Sequence, residues 1–162
     1  MGKRLIKLGL ILLLGLVGCA GTISHDVVLK VFSRARSQIT YKDEPGKQDY
    51  WQTPDETRRL GTGDCEDITL YLQDELKKEG VKTKEVGGVI DLTPLLAGRK
   101  GIQHMWLEYK EGNDVYILDP TNDIIIRRRS LPIFLYREVP YKNMKEKLRE
   151  YNERFKNGAE NK

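Results

Sequence analysis

The sequence has few of the side chains that most often carry out chemistry: its 162 residues include only two cysteines and two histidines. Two cysteines exclude a scaffold held by several disulfides. A zinc site with thiolate ligands is also disfavoured, because no second cysteine or clustered histidine lies near Cys65 in the sequence. The chain has no internal repeat and no low-complexity tract. A site that uses a thiol or an imidazole must therefore be built from these four residues.

Long hydrophobic runs are also scarce. Three basic residues precede an apolar run over Leu8–Val17, which is shorter than the ~20 residues that a membrane-spanning helix needs. This pattern predicts an export signal over residues 1–18. An ordinary secretory signal and an uncleaved anchor are the alternatives to the lipoprotein signal that the next residues indicate.

The residues that close this run, LVGC, resemble the lipobox of bacterial lipoproteins, in which the cysteine is lipidated and becomes the mature N-terminus. The resemblance implies that Cys19 carries acyl chains such as palmitate and that residues 19–24 form a tether. More than one acyl chain is what stable anchoring requires. The resemblance therefore predicts a lipoprotein of the bacterial cell envelope, anchored to a membrane and facing outside the cytoplasm.

Without the predicted signal, the chain has no strong excess of positive or negative charge. Residues 1–18 carry three of the 28 basic residues and none of the 24 acidic ones, which leaves 25 against 24. The basic character of the whole chain belongs to the signal, and it does not indicate nucleic-acid binding. The ~144 remaining residues suffice for one core. We predict a main domain over 25–140 and a C-terminal amphipathic helix and tail over 141–162.

Hydrophobic periodicity and capping residues predict an α+β chain. A helix is expected over 25–39, and a capping box at Thr53 begins a short helix that stops at Gly61. Asp64 caps a third helix that ends at Gly80. The elements predicted beyond it are a strand over 81–90 broken by two glycines, a loop over 91–101, strands over 102–110, 115–119 and 124–128, and a helix over 141–156 that is either a solvated surface helix or a partner site.

The segment GTGDCED, residues 61–67, places Cys65 in the first turn of the third predicted helix. The helix dipole and the unsatisfied N–H groups there favour a thiolate, whereas the flanking Asp64, Glu66 and Asp67 oppose it. With Cys19 under lipid, the Cys65 thiol has no partner left in its own chain. It pairs between molecules, reacts, or is buried as an inert thiol, and its neighbours decide among these.

His104 is the better candidate for a catalytic base, because His25 lies only six positions from Cys19. A two-residue turn at residues 112–113 would place Trp106 opposite Asp119. Since strand faces alternate, His104 and Asp119 would then be diagonal neighbours on one face, about 7–8 Å apart at the backbone. A one-residue slip would put them on opposite faces.

These residues suggest a nucleophile, a base and an orienting carboxylate. In this hypothesis Cys65 attacks a carbonyl, His104 takes and later returns the proton, and Asp119 holds the imidazole in the useful tautomer. The backbone N–H of Cys65 would meet the oxyanion together with a second donor. The indole N–H of Trp51 is the candidate for that donor, and a packing role in the core is the alternative for this residue.

The order of these motifs along the chain resembles the transglutaminase-like superfamily, and the GDCED core is similar to the bacterial transglutaminase-like cysteine proteinases. The resemblance spans about residues 50–121. It implies a papain-like α+β fold in which the nucleophile helix packs on an antiparallel sheet, with Cys65, His104 and Asp119 at the positions of the family triad. The residues that carry it are Tyr50, Trp51, Pro54, Glu56, Gly61, Gly63, Asp64, Cys65, Glu66, Asp67, Gly80, His104, Trp106, Leu118, Asp119, Pro120 and Thr121.

The same resemblance raises the question of calcium. Some bacterial proteinases of this group bind calcium through acids beside the cysteine, and Asp64 and Glu66 match those positions. Oxygen ligands suit that ion. A plainer role as helix cap and dipole partner serves these acids equally well and is the one we favour. No cofactor is expected to be required.

The function expected from the sequence is a lipid-anchored cysteine hydrolase that cleaves amide bonds in envelope peptides or proteins through a thioester. Transfer of the acyl group to an amine, which would crosslink proteins, uses the same intermediate and is the first alternative. A second alternative is an envelope lipoprotein that keeps the fold without turnover. The expected partners are a protein or peptide substrate and the membrane, but no nucleic acid.

Overall fold

The structure, a computed structural model, describes residues 25–44, 50–90, 102–131, 136–138 and 144–160. The predicted signal over 1–18, the tether with Cys19 and the predicted loop over 91–101 lie outside the described residues. Within the described ranges, no helix is both long enough and apolar enough to cross a membrane.

The described elements, in chain order, are α1 (His25–Gln38), β1 (Thr40–Tyr41), α2 (Pro54–Leu60), β2 (Thr62–Gly63), α3 (Cys65–Lys78), β3 (Thr83–Ile90), β4 (Ile102–Glu111), β5 (Asp114–Asp119), β6 (Ile124–Arg127), a 3-10 turn (Arg128–Ser130), β7 (Tyr136–Glu138) and α4 (Met144–Glu160). Five strands form one antiparallel sheet in the order β6-β5-β4-β3-β7. The short strands β1 and β2 pair in parallel just before α3. The predicted α+β class is confirmed.

Local capping explains where α2 and α3 begin. The Thr53 hydroxyl accepts from the Glu56 N–H at 3.3 Å, and the Glu56 carboxylate accepts from the Thr53 N–H at 2.7 Å, which forms the predicted capping box. Gly61 ends α2 in the left-handed region, with φ +66. The chain then runs extended through β2, and α3 begins at Cys65 after the N-cap Asp64.

The two faces of the sheet are packed differently. On one face, alternate residues of β4 and β5 pack against the apolar sides of α1 and α3. On the other face, Trp106 and Ile117 pack with Val86 of β3 and Tyr136 of β7. Among the described residues, the buried members of the cluster on the first face are Val28, Val31, Phe32, Ala35, Ile39, Ile68, Tyr71, Leu72, Leu76, Val81, Leu107, Tyr109, Tyr116 and Leu118.

The register of the β4–β5 hairpin is the one that the predicted turn requires. Glu111 pairs with Asp114 and Leu107 with Leu118, so Trp106 comes opposite Asp119. The prediction of a broken strand at the glycines of β3 is wrong, since β3 runs without interruption from Thr83 to Ile90. The pairing of β1 with β2 and the strand β7 were not predicted.

Candidate active site

His104 and Asp119 meet at the end of the β4–β5 hairpin. The Nε2 atom of His104 lies 2.9 Å from Oδ2 of Asp119, and the two residues are 5% and 0% exposed. An ionised carboxylate only accepts hydrogen bonds, so the network assigns the ring proton to Nε2. The other ring nitrogen, Nδ1, is then the one that can accept a proton. The predicted contact between these two residues is present.

Asp119 is held as a charged group by several donors. Its Oδ1 accepts the backbone N–H groups of Thr121 and Asn122, each at 3.1 Å. Its Oδ2 also accepts the Asn122 side-chain amide at 2.8 Å and the Tyr136 hydroxyl at 2.7 Å. Burial acts to raise the pKa of Asp119, but the hydrogen bond and charge of His104, with those of Asn122 and Tyr136, outweigh it and lower the pKa. The carboxylate is therefore ionised at neutral pH.

Cys65 lies at the start of α3, half-buried, with a free thiol. The thiol donates to Oε2 of Glu66 at 2.9 Å. Burial, the charge and hydrogen bond of Glu66 and the charge of Asp64 raise the pKa of Cys65, while the backbone of Met105 acts in the opposite direction. The helix start alone does not make this thiol a thiolate, and in this state it is protonated.

The third member of the predicted triad is close to β4 but not bonded to the imidazole. Within the described part of the chain, no hydrogen bond joins the Cys65 thiol to His104. The thiol instead meets the backbone of Met105, the residue next to His104. Met105 and His104 point to opposite faces of the strand. The triad role of Cys65 stays a prediction.

Trp51 belongs to the apolar cluster against which Cys65 packs. It is 2% exposed and packs with Leu70, Met105 and Tyr151 in a cluster against which Cys65 also packs. Packing in the core, the alternative for this residue, is therefore part of its role. Its position leaves the proposed donation to an oxyanion as a prediction.

The acidic residues around Cys65 make different hydrogen bonds. Asp67 is fully buried and accepts the backbone N–H of Gln52 at 2.7 Å and that of Asp64 at 3.4 Å. Burial and the charge of Asp64 raise the pKa of Asp67 to about 7. Asp67 thus serves as a cap of α3, whereas Glu66, which is 4% exposed, holds the thiol. Among the residues described, no group of three or more His, Cys, Asp or Glu side chains is placed to hold a metal ion.

Several site residues were not found from the sequence. Tyr136 and Asn122 reach Asp119 from β7 and from the turn after β5. Tyr151 of α4 is buried against the Trp51 cluster, and Arg154 donates to the Trp51 carbonyl at 2.7 Å. The helical spacing of Tyr151 indicated an amphipathic helix but not its position. Nothing in the sequence indicated that Tyr136 or Asn122 would contact the Asp119 carboxylate.

The fold is that of the transglutaminase-like cysteine proteases. Among solved structures, the chain is similar to calcium-bound LapG of Legionella pneumophila, with 27% identity and a TM-score of 0.53 over 67% of this chain and 59% of that one. The EGTA-treated form of LapG gives 26% identity and a TM-score of 0.53 over 67% and 58%. A candidate cysteine protease of Cytophaga hutchinsonii, at 15% identity and a TM-score of 0.50 over 64% and 35%, shares the fold.

These comparisons confirm the predicted fold. The resemblance to transglutaminase-like cysteine proteinases and the interpretation of the chain as a cysteine peptidase agree with the class of its structural neighbours. The chain spans less than two thirds of the length of the LapG structures. No protein-family model matches it, and no curated protein matches it significantly.

Proposed function

We propose that this chain is a lipid-anchored cysteine hydrolase of the bacterial cell envelope that cleaves amide bonds in peptides or proteins. The observation that carries the proposal is the contact of His104 Nε2 with Asp119 Oδ2 at 2.9 Å, on the strand that Cys65 approaches. An imidazole oriented by a buried carboxylate is the kind of base that a protonated thiol needs. The similarity to cysteine protease structures supports the same reading.

The reaction begins with the thiol. In the proposed mechanism the Cys65 side chain turns from Glu66 to His104, whose Nδ1 takes the thiol proton as the sulfur attacks the substrate carbonyl. The backbone N–H of Cys65, with the indole of Trp51 as the second candidate donor, stabilises the oxyanion. His104 returns the proton to the leaving amine, and a thioester forms on Cys65. Water, activated by His104, then hydrolyses the thioester.

The proposal is tested on the full-length protein in detergent, incubated with envelope proteins and followed by mass spectrometry. New peptide ends should appear with the wild type and be absent with Cys65→Ala. The variant His25→Gln, which alters the other histidine, should behave as the wild type. Isopeptide crosslinks in place of new ends would instead support acyl transfer. Identical products from the wild type and Cys65→Ala would contradict both and leave a non-catalytic lipoprotein.

The membrane anchor is a separate part of the proposal and rests on the lipobox resemblance of residues 16–19. Cells grown with a clickable palmitate analogue should incorporate it into the wild type and not into Cys19→Ala. The variant Cys65→Ala is the matched control, because it also loses one thiol but should stay labelled. Equal labelling of the wild type and Cys19→Ala would contradict the anchor.

We also propose that calcium binds at Asp64 and Glu66. One LapG structure is calcium-bound, and carboxylate oxygens are ligands that calcium prefers. Burial and the negative charge of Asp64 together raise the pKa of Asp67 to about 7, and a cation at Asp64 would offset the second of these two causes. Calcium should raise the thermal midpoint of the wild type relative to EGTA, but not that of Asp64→Asn. Equal midpoints of the wild type in calcium and EGTA would remove the ion from the account.

A further inference from the structure

We propose that Tyr136 is a positioning residue of this site, whose hydroxyl fixes the Asp119 carboxylate and thereby sets how strongly the His104 imidazole holds its proton. The inference rests on the proposed function, because it assigns a role in the same site. It adds a residue from the edge strand β7, which lies 17 positions beyond Asp119 in the sequence.

The contact is short, buried and made to the oxygen that faces the imidazole. The Tyr136 hydroxyl donates to Asp119 Oδ2 at 2.7 Å, and Tyr136 is 7% exposed. The same oxygen contacts His104 Nε2 at 2.9 Å and accepts from the Asn122 amide at 2.8 Å. The Asn122 amide also lies 3.3 Å from His104 Nε2. Three donors therefore compete for one carboxylate oxygen.

The fold fixes the position of this hydroxyl. Strand β7 pairs with β3 so that Tyr136 comes opposite Ile90. The Tyr136 ring packs edge-on against Trp106, with centroids 5.2 Å apart and planes at 82°. A Cβ on Gly88 would lie 2.3 Å from the Arg137 carbonyl oxygen and 2.5 Å from Trp106, so a glycine is needed for β7 and Trp106 to come this close. The ring has little freedom to move off Asp119.

The chemistry of the phenol suits a permanent donor. Burial and the charge and hydrogen bond of Asp119 raise the pKa of Tyr136, so its hydroxyl keeps its proton over the whole range in which imidazoles titrate. Each donor on Oδ2 withdraws negative charge from the imidazole contact. Without Tyr136, the carboxylate would attract the imidazolium more strongly and would be less constrained in orientation.

The charged and titratable groups around this pair are few among the described residues. Asp119 faces His104 from β5, and Tyr136 reaches that carboxylate from β7. From α3, Cys65 approaches the neighbouring Met105 backbone, and Glu66 bonds the thiol. Strand β3 presents Gly88 opposite His104. A change at Tyr136 should therefore act on His104 through Asp119.

Nuclear magnetic resonance of the two histidine rings tests the inference without relying on turnover. The full-length protein in micelles, labelled with ¹⁵N-histidine and carrying Cys65→Ala, is titrated with pH, and His25→Gln assigns the two rings. In Tyr136→Phe, which keeps the ring that packs on Trp106, the titration midpoint of the His104 ring should rise by about half a pH unit or more. The matched control is Tyr71→Phe, which removes a buried hydroxyl bonded to Gln38 at 2.7 Å and should leave that midpoint unchanged.

Two further variants separate this inference from the proposed function. Asp119→Asn should lower the His104 midpoint, and an unchanged midpoint there would contradict the pairing on which the proposed function depends. A lowered midpoint in Asp119→Asn with an unchanged one in Tyr136→Phe would overturn the role of Tyr136 alone. Asn122→Ala removes the other side chain that donates to Asp119, and Asn122 lies on an exposed turn. In this variant the titration midpoint of His104 should move in the same direction as in Tyr136→Phe. No movement in Asn122→Ala would also overturn the argument.

In the protein that retains Cys65, Tyr136→Phe should lower kcat about tenfold and leave KM nearly unchanged. A tenfold fall corresponds to the free energy of about one charge-assisted hydrogen bond. A fall in the amount of folded protein at an unaltered kcat would assign Tyr136 to packing only and overturn the proposal.

Discussion

The two halves of the candidate site are built on opposite electrostatic principles. In the hairpin half, which comprises His104 on β4 and Asp119 on β5, hydrogen-bond donors surround the buried negative charge and lower the pKa of Asp119. In the helix half, which comprises Cys65 and Glu66 at the start of α3, burial and a neighbouring carboxylate raise the pKa of the thiol. The candidate base is therefore oriented by a charged partner, whereas the candidate nucleophile is kept protonated.

This difference shows that a helix start is not sufficient to activate a cysteine. The partial positive charge at the end of a helix is equivalent to about half an elementary charge. Burial of the thiol and the Glu66 carboxylate, 2.9 Å from the sulfur, outweigh it. The proposed activation of Cys65 would require a change in the Glu66 contact.

The largest effect is expected from removing the charge of the hairpin half. Asp119→Asn keeps the size of the side chain but favours the wrong tautomer of His104, so hydrolysis should fall by roughly 10³–10⁴-fold. Steady-state kinetics on a cleaved peptide would measure it. Asp123→Asn, at an exposed acid four residues on that contacts Arg36, should change the rate little. A loss below threefold in Asp119→Asn would show that the hairpin half is not the base.

A substitution at Gly88 should disrupt the packing of β7 against the hairpin half. Gly88→Ala would bring a Cβ to 2.3 Å from a backbone oxygen of β7, so the free energy of unfolding should fall by about 3 kcal/mol or more. Urea denaturation followed by circular dichroism gives this value. The control is Gly112→Ala, where the Cβ meets open space and only the positive φ of 57° is unfavourable, at about 1 kcal/mol. Equal losses in the two variants would contradict the close packing of β7.

The helix half is tested by Glu66→Gln, which removes the carboxylate beside the thiol. Burial and the negative charge of Asp64 remain, so the pKa of Cys65 should fall only partly, by about one unit, and thiolate at pH 7 should increase about tenfold. Iodoacetamide labelling rates report this change. Glu75→Gln on the same helix, whose carboxylate pairs with Arg58 and Lys78, is the control. An unaltered rate in Glu66→Gln would mean that the carboxylate does not restrain the thiol.

The smallest effect concerns the segment that leads into the helix half. Thr53→Ala removes the hydroxyl of the capping box of α2, and the unfolding free energy should fall by about 1 kcal/mol. Thr53→Ser keeps the hydroxyl and should retain most of the stability. A denaturation midpoint that is equal in Thr53→Ala and the wild type would show that the box contributes nothing.

The sequence predicted local features better than distant ones. The capping residues Thr53 and Asp64 located two helix starts, and a two-residue turn located the register that brings His104 to Asp119. These signals are local, because each depends on residues a few positions apart. The strand β7 has three residues, and its pairing with β3 bridges more than 40 positions, so no local pattern could indicate that Tyr136 meets Asp119.

The state of the thiol was also beyond the sequence. Three acids around Cys65 indicated opposition to a thiolate, and the helix start indicated support, but the balance depends on burial and on which carboxylate faces the sulfur. In the structure, the Cys65 thiol donates to Glu66, and Asp67 instead accepts the backbone N–H of Gln52. A side-chain rotamer decides the matter, and rotamers are set by packing rather than by the motif.

The central claim is that the Cys65 thiol reacts through His104. The most direct measurement is the rate of iodoacetamide labelling of Cys65 across pH 5 to 10 in the full-length protein, with the modified residue identified by mass spectrometry. The wild type should react at least about tenfold faster near pH 7 than His104→Ala, while His25→Ala should match the wild type. Equal rates at every pH in the wild type and His104→Ala would contradict the claim.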